Sequence, residues 1–140
     1  LEAFEVLYEW IPQRLRIHDL SRVFSSEDDG YSVKHFLSKM EFYSPTFLFM
    51  KSKEGRIFGV YMPCDWRLSG QGYIGTADTF VFSFTPKFVA YVPPPGIKHE
   101  FFLNVKEDSF IIGGGDEGPA LFVTDSWIAS SNRSETFRNE

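Results

Sequence analysis

The stretch FIIGGGDEGPALFV at 110–123 is the part of this sequence whose residue types most directly suggest chemistry. Three consecutive glycines, Gly113 to Gly115, are typical of loops that cradle phosphates with backbone amides. A phosphate loop also needs a Lys-Ser or Lys-Thr pair opening a helix, whereas Pro119 and a strand-like ALFV follow here. Asp116 and Glu117 would place negative charge where the anion should lie. The pattern therefore predicts glycines that bend a strand or pack it closely against a neighbour.

The other residue types that could do chemistry do not assemble in the sequence. His18, His35 and His99 lack the HxxxH or HExxH spacing of a zinc site, so no metal is expected. Cys64 is the only cysteine and is the redox candidate, although a reactive thiol needs exposure and a nearby cation. A single thiol cannot form an internal disulfide, which favours a reducing compartment. The sequence contains no GxSxG elbow, and we expect neither a catalytic residue nor a cofactor.

Composition and charge narrow the classes of partner. The chain has 14 basic and 19 acidic residues, a net charge of −5, and its basic residues are scattered along the sequence. This scatter argues against nucleic acid or an anionic membrane as the main partner. With 43% hydrophobic and 18% aromatic residues among 140, the chain can bury the core of one domain. It has no signal-peptide pattern and no apolar run of about 18 residues, so a cytoplasmic location is expected.

The front of the chain is expected to begin with a helix. In LEAFEVLYEWIPQRL, Phe4, Leu7 and Tyr8 recur at helical spacing, and Pro12 ends or kinks the run. The next segment, SRVFSS, predicts a short strand. It is followed by EDDG, which predicts a turn closed by Gly30.

The segment SVKHFLSKMEFY predicts an amphipathic helix that lays one face on a core. Ser32 is placed to cap its N-terminus, and Pro45 is placed to stop it. The apolar positions follow the i, i+3, i+4, i+7 pattern of a helix and are Val33, Phe36, Leu37 and Met40.

After Pro45 the hydrophobic period changes to two, which predicts β-strands. TFLFMKS and RIFGVYMP flank KEG, a hairpin signature with Gly55 at the turn. DTFVFSF places Phe80, Phe82 and Phe84 on one face of a strand. KFVAYV, EFFLNV, SFIIGG and PALFVTD continue the series, and VPPPG predicts a stiff loop. Together these elements predict a mainly β (α+β) domain: a two-sheet antiparallel β-sandwich flanked by short helices.

Five segments, in order and over nearly all of the chain, resemble the TLDc domain family. They are GYSVKHFLSKM, SPTFLFMKSKEGRIFGVYMPCDW, YIGTADTFVFSFTP, FIIGGGDEGPALFVTDSW and SETFRNE. The segment LYEWIPQRL further resembles the TBC–TLDc (Skywalker-type) proteins, in which a Rab-GTPase-activating-like TBC domain precedes this one. The resemblance implies the same sandwich, with the glycine run as part of it and not a nucleotide site.

The resemblance also implies a function. TLDc domains are associated with oxidative-stress resistance and with regulation of the vacuolar-type proton ATPase (V-ATPase), and TBC-bearing members with vesicle and membrane trafficking. We therefore expect a non-enzymatic interaction domain whose partner is the peripheral sector of that ATPase or the trafficking machinery. A preceding TBC domain would carry any activity on small GTPases. The expected location is cytoplasmic, or peripheral on vesicle or endolysosomal membranes without direct insertion, and no nucleic acid is expected.

Two other functions stay open at this point. One is a redox-protective enzyme that uses Cys64, and the other is a structural appendage that orients a TBC domain. Residues 1–140 are expected to form a single TLDc domain, a C-terminal fragment of a larger protein that lacks the last strand of its relatives.

Two groups of residues are the candidates for function. The family usually has a glycine-glutamate pair where this chain has Ala77 and Asp78, which puts any role of that glutamate in doubt. The candidate interaction residues lie in loops that are expected at the ends of the sandwich, where the strands hold them in position. They are Asp78, Asp116, Glu117, Arg133 and Glu135. The candidate backbone-geometry glycines are Gly75, Gly113, Gly114 and Gly115.

Overall fold

Two antiparallel sheets and two short helices make up this computed structural model, which describes residues 13, 21–67, 72–84, 87–94, 102–115, 118–124, 127–131, 134, 136, 137 and 139. Each sheet has four strands in sequential order. The expected mainly β, two-sheet fold is therefore confirmed. The first predicted helix, at 1–15, lies outside the described residues except for position 13.

The first helix, α1 (Ser26–Asp29), is a single helical turn that lies on the predicted EDDG turn and includes only Ser26 of SRVFSS. Residues 21–25 form no strand, so the strand prediction at SRVFSS is wrong. The reason lies in how the backbone of Ser25 is used. Its amide donates to an Asp29 carboxylate oxygen at 2.9 Å, and its carbonyl accepts from the amides of Asp28 and Asp29. These local bonds occupy the groups that a strand would pair with a neighbour. Gly30 closes the turn with a φ of 90°.

The second helix, α2 (Val33–Met40), confirms the predicted cap and the predicted buried face. The Ser32 hydroxyl accepts a hydrogen bond from the amide of His35 at 3.2 Å, as an N-cap residue does. The helix ends at Met40, where the amide of Tyr43 donates to the Met40 carbonyl, and so stops well before Pro45. Its four apolar residues are all buried: Val33, Phe36, Leu37 and Met40.

The strands form two meanders. The first sheet contains β1 (Thr46–Lys51), β2 (Ile57–Met62), β3 (Phe80–Ser83) and β4 (Val89–Tyr91). The second sheet contains β5 (Leu103–Val105), β6 (Phe110–Ile112), β7 (Leu121–Val123) and β8 (Ala129–Ser130). The predicted hairpin is confirmed, since β1 and β2 pair antiparallel and Gly55 has a φ of 89° at their turn. Strand β8 was not predicted, because a two-residue segment is too short to show an alternating apolar pattern. Both of its residues are exposed.

The first sheet separates two apolar clusters. Val60 and Val81 belong to the larger cluster, which also contains the buried face of α2 and residues of the second sheet. Phe80 and Phe82 belong to a second, aromatic cluster with Tyr61, and Phe84 packs beside it. The prediction that Phe80, Phe82 and Phe84 share one face is therefore confirmed, because alternate residues of a strand point to opposite faces.

In the parts of the chain that the structure describes, neither helix has the length and apolar character needed to cross a bilayer.

Candidate functional site

Gly113 lies at the end of β6, where the chain leaves the second sheet. Its φ is 79°, a conformation that residues with a side chain rarely adopt, and its amide donates to the Phe102 carbonyl at 3.1 Å. A Cβ atom at this position would lie 3.1 Å from both the Phe137 ring and the Ser134 hydroxyl. The glycine thus lets the backbone approach other parts of the domain at a distance that a side chain would not permit.

The end of the chain forms a buried polar network that receives the glycine run. The amide of Gly114 donates to the Thr136 hydroxyl at 3.0 Å. The amide and the hydroxyl of Ser134 both donate to the side-chain oxygen of Asn139, at 3.1 and 2.9 Å. The Ser134 hydroxyl in turn accepts from the amide of Phe137 at 3.1 Å. Thr136 is fully buried, so this network is an interior feature and not a surface.

Gly115 and Gly118 close the turn that carries the two predicted acidic contact residues. Gly115 has a φ of 127°, and the amide of Gly118 donates to its carbonyl at 3.1 Å. Asp116 and Glu117 lie between these two glycines but outside the described residues.

The tail also contains two predicted contact residues. Arg133 and Glu135 lie outside the described residues, while their neighbours Ser134, Thr136 and Phe137 are buried. Sequence reasoning selected the charged positions of the tail and missed the polar network. The signal that could have found part of it is a serine three residues before Phe137, because a serine hydroxyl commonly accepts the backbone amide at that spacing.

The GTAD segment forms a tight turn with an exposed tip. The amide of Thr79 donates to the Thr76 carbonyl at 3.1 Å, and the amide of Asp78 lies 3.3 Å from the Thr76 hydroxyl. Asp78 and Ala77 are exposed. Trp127 is the one non-glycine residue with positive φ among the described residues, so Ala77 adopts a backbone conformation open to any residue. The departure from the usual family glycine therefore requires no unusual backbone here.

Gly75 opens the same turn and brings it against the second sheet. Its φ is 111°, and a Cβ atom there would lie 2.9 Å from Cβ of Phe102 and 3.7 Å from the Cys64 sulfur. Phe102 therefore contacts both glycine segments, because its carbonyl also accepts the Gly113 amide. We call this arrangement the glycine junction and define it by Gly75, Phe102, Gly113, Gly114 and Thr136.

Cys64 borders the glycine junction and is only partly exposed. Burial raises the pKa of its thiol; a backbone hydrogen bond and the charge of Arg67 oppose the shift, and the charge of Asp65 adds to it. A raised pKa leaves less thiolate at neutral pH, and the thiolate is the nucleophilic form. The environment of Cys64 is therefore that of a structural cysteine more than of an activated one. Among the described residues, no three His, Cys, Asp or Glu side chains form a group that could hold a metal ion.

Three of the five segments that carry the family resemblance meet at the glycine junction. GTAD supplies Gly75, the glycine run supplies Gly113 and Gly114, and the tail supplies Thr136. Phe102, which joins them, was not singled out from the sequence because EFFLNV shows only an ordinary strand pattern.

The chain is similar in sequence to several known proteins. The chain is 28% identical to the GTPase-activating protein skywalker of Drosophila melanogaster over 95% of its length. It is 29% identical to nuclear receptor coactivator 7 of Gallus gallus over 97%, and 28% identical to oxidation resistance protein 1 of Rattus norvegicus over 99%. These matches cover 25%, 15% and 16% of the relatives, so the chain spans a quarter or less of their lengths. The family model described as the TLDc domain matches residues 1–140, and the chain belongs to the TLDc domain family.

Proposed function

We propose that this domain is a non-enzymatic interaction module that contacts the V-ATPase or the trafficking machinery and is linked to oxidative-stress resistance. The proposal draws on the family membership and on the names of two relatives, an oxidation resistance protein and a GTPase-activating protein. The contact with the ATPase comes from the family resemblance. The chain spans a quarter or less of these relatives. An activity of a whole relative is therefore assigned to this chain only as part of this proposal.

The observation that carries the proposal is the glycine junction. Residues of the family's motifs bind one another inside the domain, as in the hydrogen bond from the Gly114 amide to the Thr136 hydroxyl. A phosphate site would need such amides to point towards a ligand. Asp78, in contrast, lies on an exposed turn that the junction holds in place. This division favours a rigid scaffold that presents loops to a partner.

The environment of Cys64 favours this module over the redox-protective enzyme. Burial raises the pKa of the thiol, which lowers its reactivity towards peroxide at neutral pH. The chain contains no second cysteine that could resolve an oxidised Cys64, so a catalytic cycle would require an outside thiol.

We propose the acidic turns at Asp78 and at Asp116 and Glu117 as the contact surface for the ATPase. Charged groups at an interface accelerate and orient association, and their effect weakens as salt rises. Reversing these charges is expected to weaken capture of the ATP-hydrolysing peripheral sector from a cytosolic extract, most strongly at low salt.

The experiment compares Asp78→Lys and the double variant Asp116→Lys, Glu117→Lys with a matched control. The control is Glu107→Lys with Asp108→Lys, which reverses two exposed acids in the β5–β6 connection. It breaks the ion pair between Lys34 and Glu107, but exposed pairs contribute little stability. Loss of the sector with the test variants alone supports the contact surface. Equal recovery with all variants removes these turns from the interface.

A different outcome would favour the structural appendage. One of the relatives named above is a GTPase-activating protein. If even the unaltered domain recovers none of the ATPase, a role in positioning a TBC domain becomes the better proposal. We propose a cytoplasmic location, peripheral on vesicle or endolysosomal membranes, for either role.

A further inference from the structure

The connections β1–β2 and β3–β4 lie at the same end of the first sheet. The strands run in the order β1-β2-β3-β4 with antiparallel neighbours, so β1 ends and β2 begins at the same end of the sheet where β3 ends and β4 begins. Lys51 pairs with Ile57, and the amide of Phe84 donates to the Ile57 carbonyl at 2.8 Å. These contacts align the two turns in one row. We call residues 51–57, 84, 87 and 88 the hairpin end.

The hairpin end carries a cluster of basic side chains that the sequence separates. All four are exposed: Lys51, Lys53, Arg56 and Lys87. Glu54 is the only acid in these two segments, and its carboxylate lies 3.8 Å from the Arg56 guanidinium. Four basic groups and one acid give the hairpin end a formal charge of +3. Since the whole chain carries −5, the remainder carries −8.

The four basic groups are close enough to act together on a charged surface. Neighbouring strands lie about 4.8 Å apart, so four strands span roughly 15 Å. That width is comparable to the Debye length of about 10 Å at moderate salt. The hairpin end thus has a charge opposite to the net charge of the rest of the sequence, and a negatively charged plane would orient the domain with the hairpin end forward.

We propose that the hairpin end docks on the surface of an anionic phospholipid bilayer. A row of exposed cations at the end of adjacent strands suits an extended charged plane better than it suits a peptide that needs a groove. Ile57 and Phe49 are 39% and 37% exposed beside the cations, and partly exposed apolar groups fit the interface of a bilayer better than a nucleic-acid backbone. The sequence argued against a membrane because the basic residues are scattered, and the sheet gathers four of them.

Docking of this kind is weak and reversible. Each basic residue near an anionic membrane strengthens binding about five-fold, and stable attachment needs a second signal. A membrane-bound protein partner would supply such a signal. The docking does not depend on the partner proposed above, and it requires no insertion into the bilayer.

The test measures sedimentation of the 140-residue chain with vesicles of phosphatidylcholine and about 30% phosphatidylserine at about 50 mM salt. We expect binding that falls steeply as salt rises and that is absent with phosphatidylcholine alone. The variant Lys53→Gln with Lys87→Gln should bind about 25-fold more weakly, from two losses of about five-fold each. The control Lys34→Gln with Lys106→Gln removes the same charge from α2 and the β5–β6 connection and should bind like the unaltered chain.

Three results would overturn the proposal. Equal losses in the test and control variants would mean that net charge acts without a defined surface. Equal binding to neutral vesicles would mean that apolar contacts dominate. Tighter binding to duplex nucleic acid than to the vesicles would assign the hairpin end to a different polyanion. Thermal melts of all variants exclude misfolding, since exposed substitutions usually change stability by less than about 0.5 kcal/mol.

Discussion

The amide of Gly114 donates a hydrogen bond to the hydroxyl of Thr136 at 3.0 Å, joining buried groups that lie 22 positions apart in the chain. The bond attaches the glycine run after β6 to the tail, and it uses a backbone amide that would otherwise be buried without a partner. A buried polar group without a partner costs free energy, so losing this bond would destabilise the fold mainly by leaving the Gly114 amide unpaired.

Replacing Thr136 with Val tests that bond directly. Valine keeps the shape of the side chain but removes the acceptor, so we expect a loss of about 1–3 kcal/mol in the free energy of unfolding. Thr136→Ser should retain most of the stability. The matched control is Thr79→Val, because the buried Thr79 hydroxyl has no hydrogen-bond partner among the described residues. If Thr136→Val unfolds at the same denaturant concentration as the native chain, the bond contributes nothing.

Gly113 and Gly55 separate the cost of backbone conformation from the cost of crowding. Both have positive φ, 79° and 89°, but a Cβ atom would meet open space only at Gly55. Gly55→Ala should therefore cost about 1–2 kcal/mol from backbone strain alone. Gly113→Ala should cost about 1–3 kcal/mol more, because the new methyl group crowds Phe137 and Ser134. Equal denaturation midpoints for the two variants would contradict the close packing at Gly113.

Phe82 tests whether the aromatic cluster stabilises the first sheet. It is 2% exposed and its ring lies 5.4 Å from that of Phe49 and 5.6 Å from that of Phe84, measured between centroids. Phe82→Ala should cost about 3–5 kcal/mol in a denaturant melt. The control Phe42→Ala removes an aromatic ring that is 83% exposed and should change stability by less than about 0.5 kcal/mol. A loss below about 1 kcal/mol for Phe82→Ala would contradict its burial.

The single thiol allows the reactivity of Cys64 to be measured without interference from another cysteine. Burial raises its pKa, so iodoacetamide should label it slowly at neutral pH and faster as the pH rises through the thiol pKa. The same raised pKa stabilises the folded chain while the thiol is protonated, and this contribution is lost as pH rises through the folded pKa. Cys64→Ser with Lys53→Cys places the only thiol on an exposed turn and should label several-fold faster. If Cys64 and the thiol at position 53 are labelled at comparable rates at neutral pH, the redox-enzyme hypothesis becomes the better one.

Much of the secondary structure was determined by the sequence alone, wherever neighbouring residues decide it. The cap at Ser32 and the buried face of α2 follow from a period of 3.6. The turn at Gly55 follows from its position between two strands, and the shared face of Phe80 and Phe82 from a period of two. Family membership also followed from the order of short motifs, and the full-length family match confirms it.

Local pattern was insufficient where a competing hydrogen bond or a long-range contact decides the structure. SRVFSS forms no strand, because the Asp29 carboxylate accepts the Ser25 amide and a helical turn begins at Ser26. Gly59 lies within β2, where a Cβ atom would collide with the Leu48 carbonyl of the neighbouring strand. Neither effect has a signature in hydrophobic periodicity.

The glycine junction and the hairpin end were decided only by the tertiary structure. Phe102 contacts Gly75 and Gly113 because residues distant in sequence meet where the two sheets pack, and no spacing in the sequence encodes that meeting. Lys53 and Lys87 likewise share one end of the first sheet because two hairpins pair side by side. A sequence lists which groups exist, but the pairing of strands determines which of them act on the same ligand or surface.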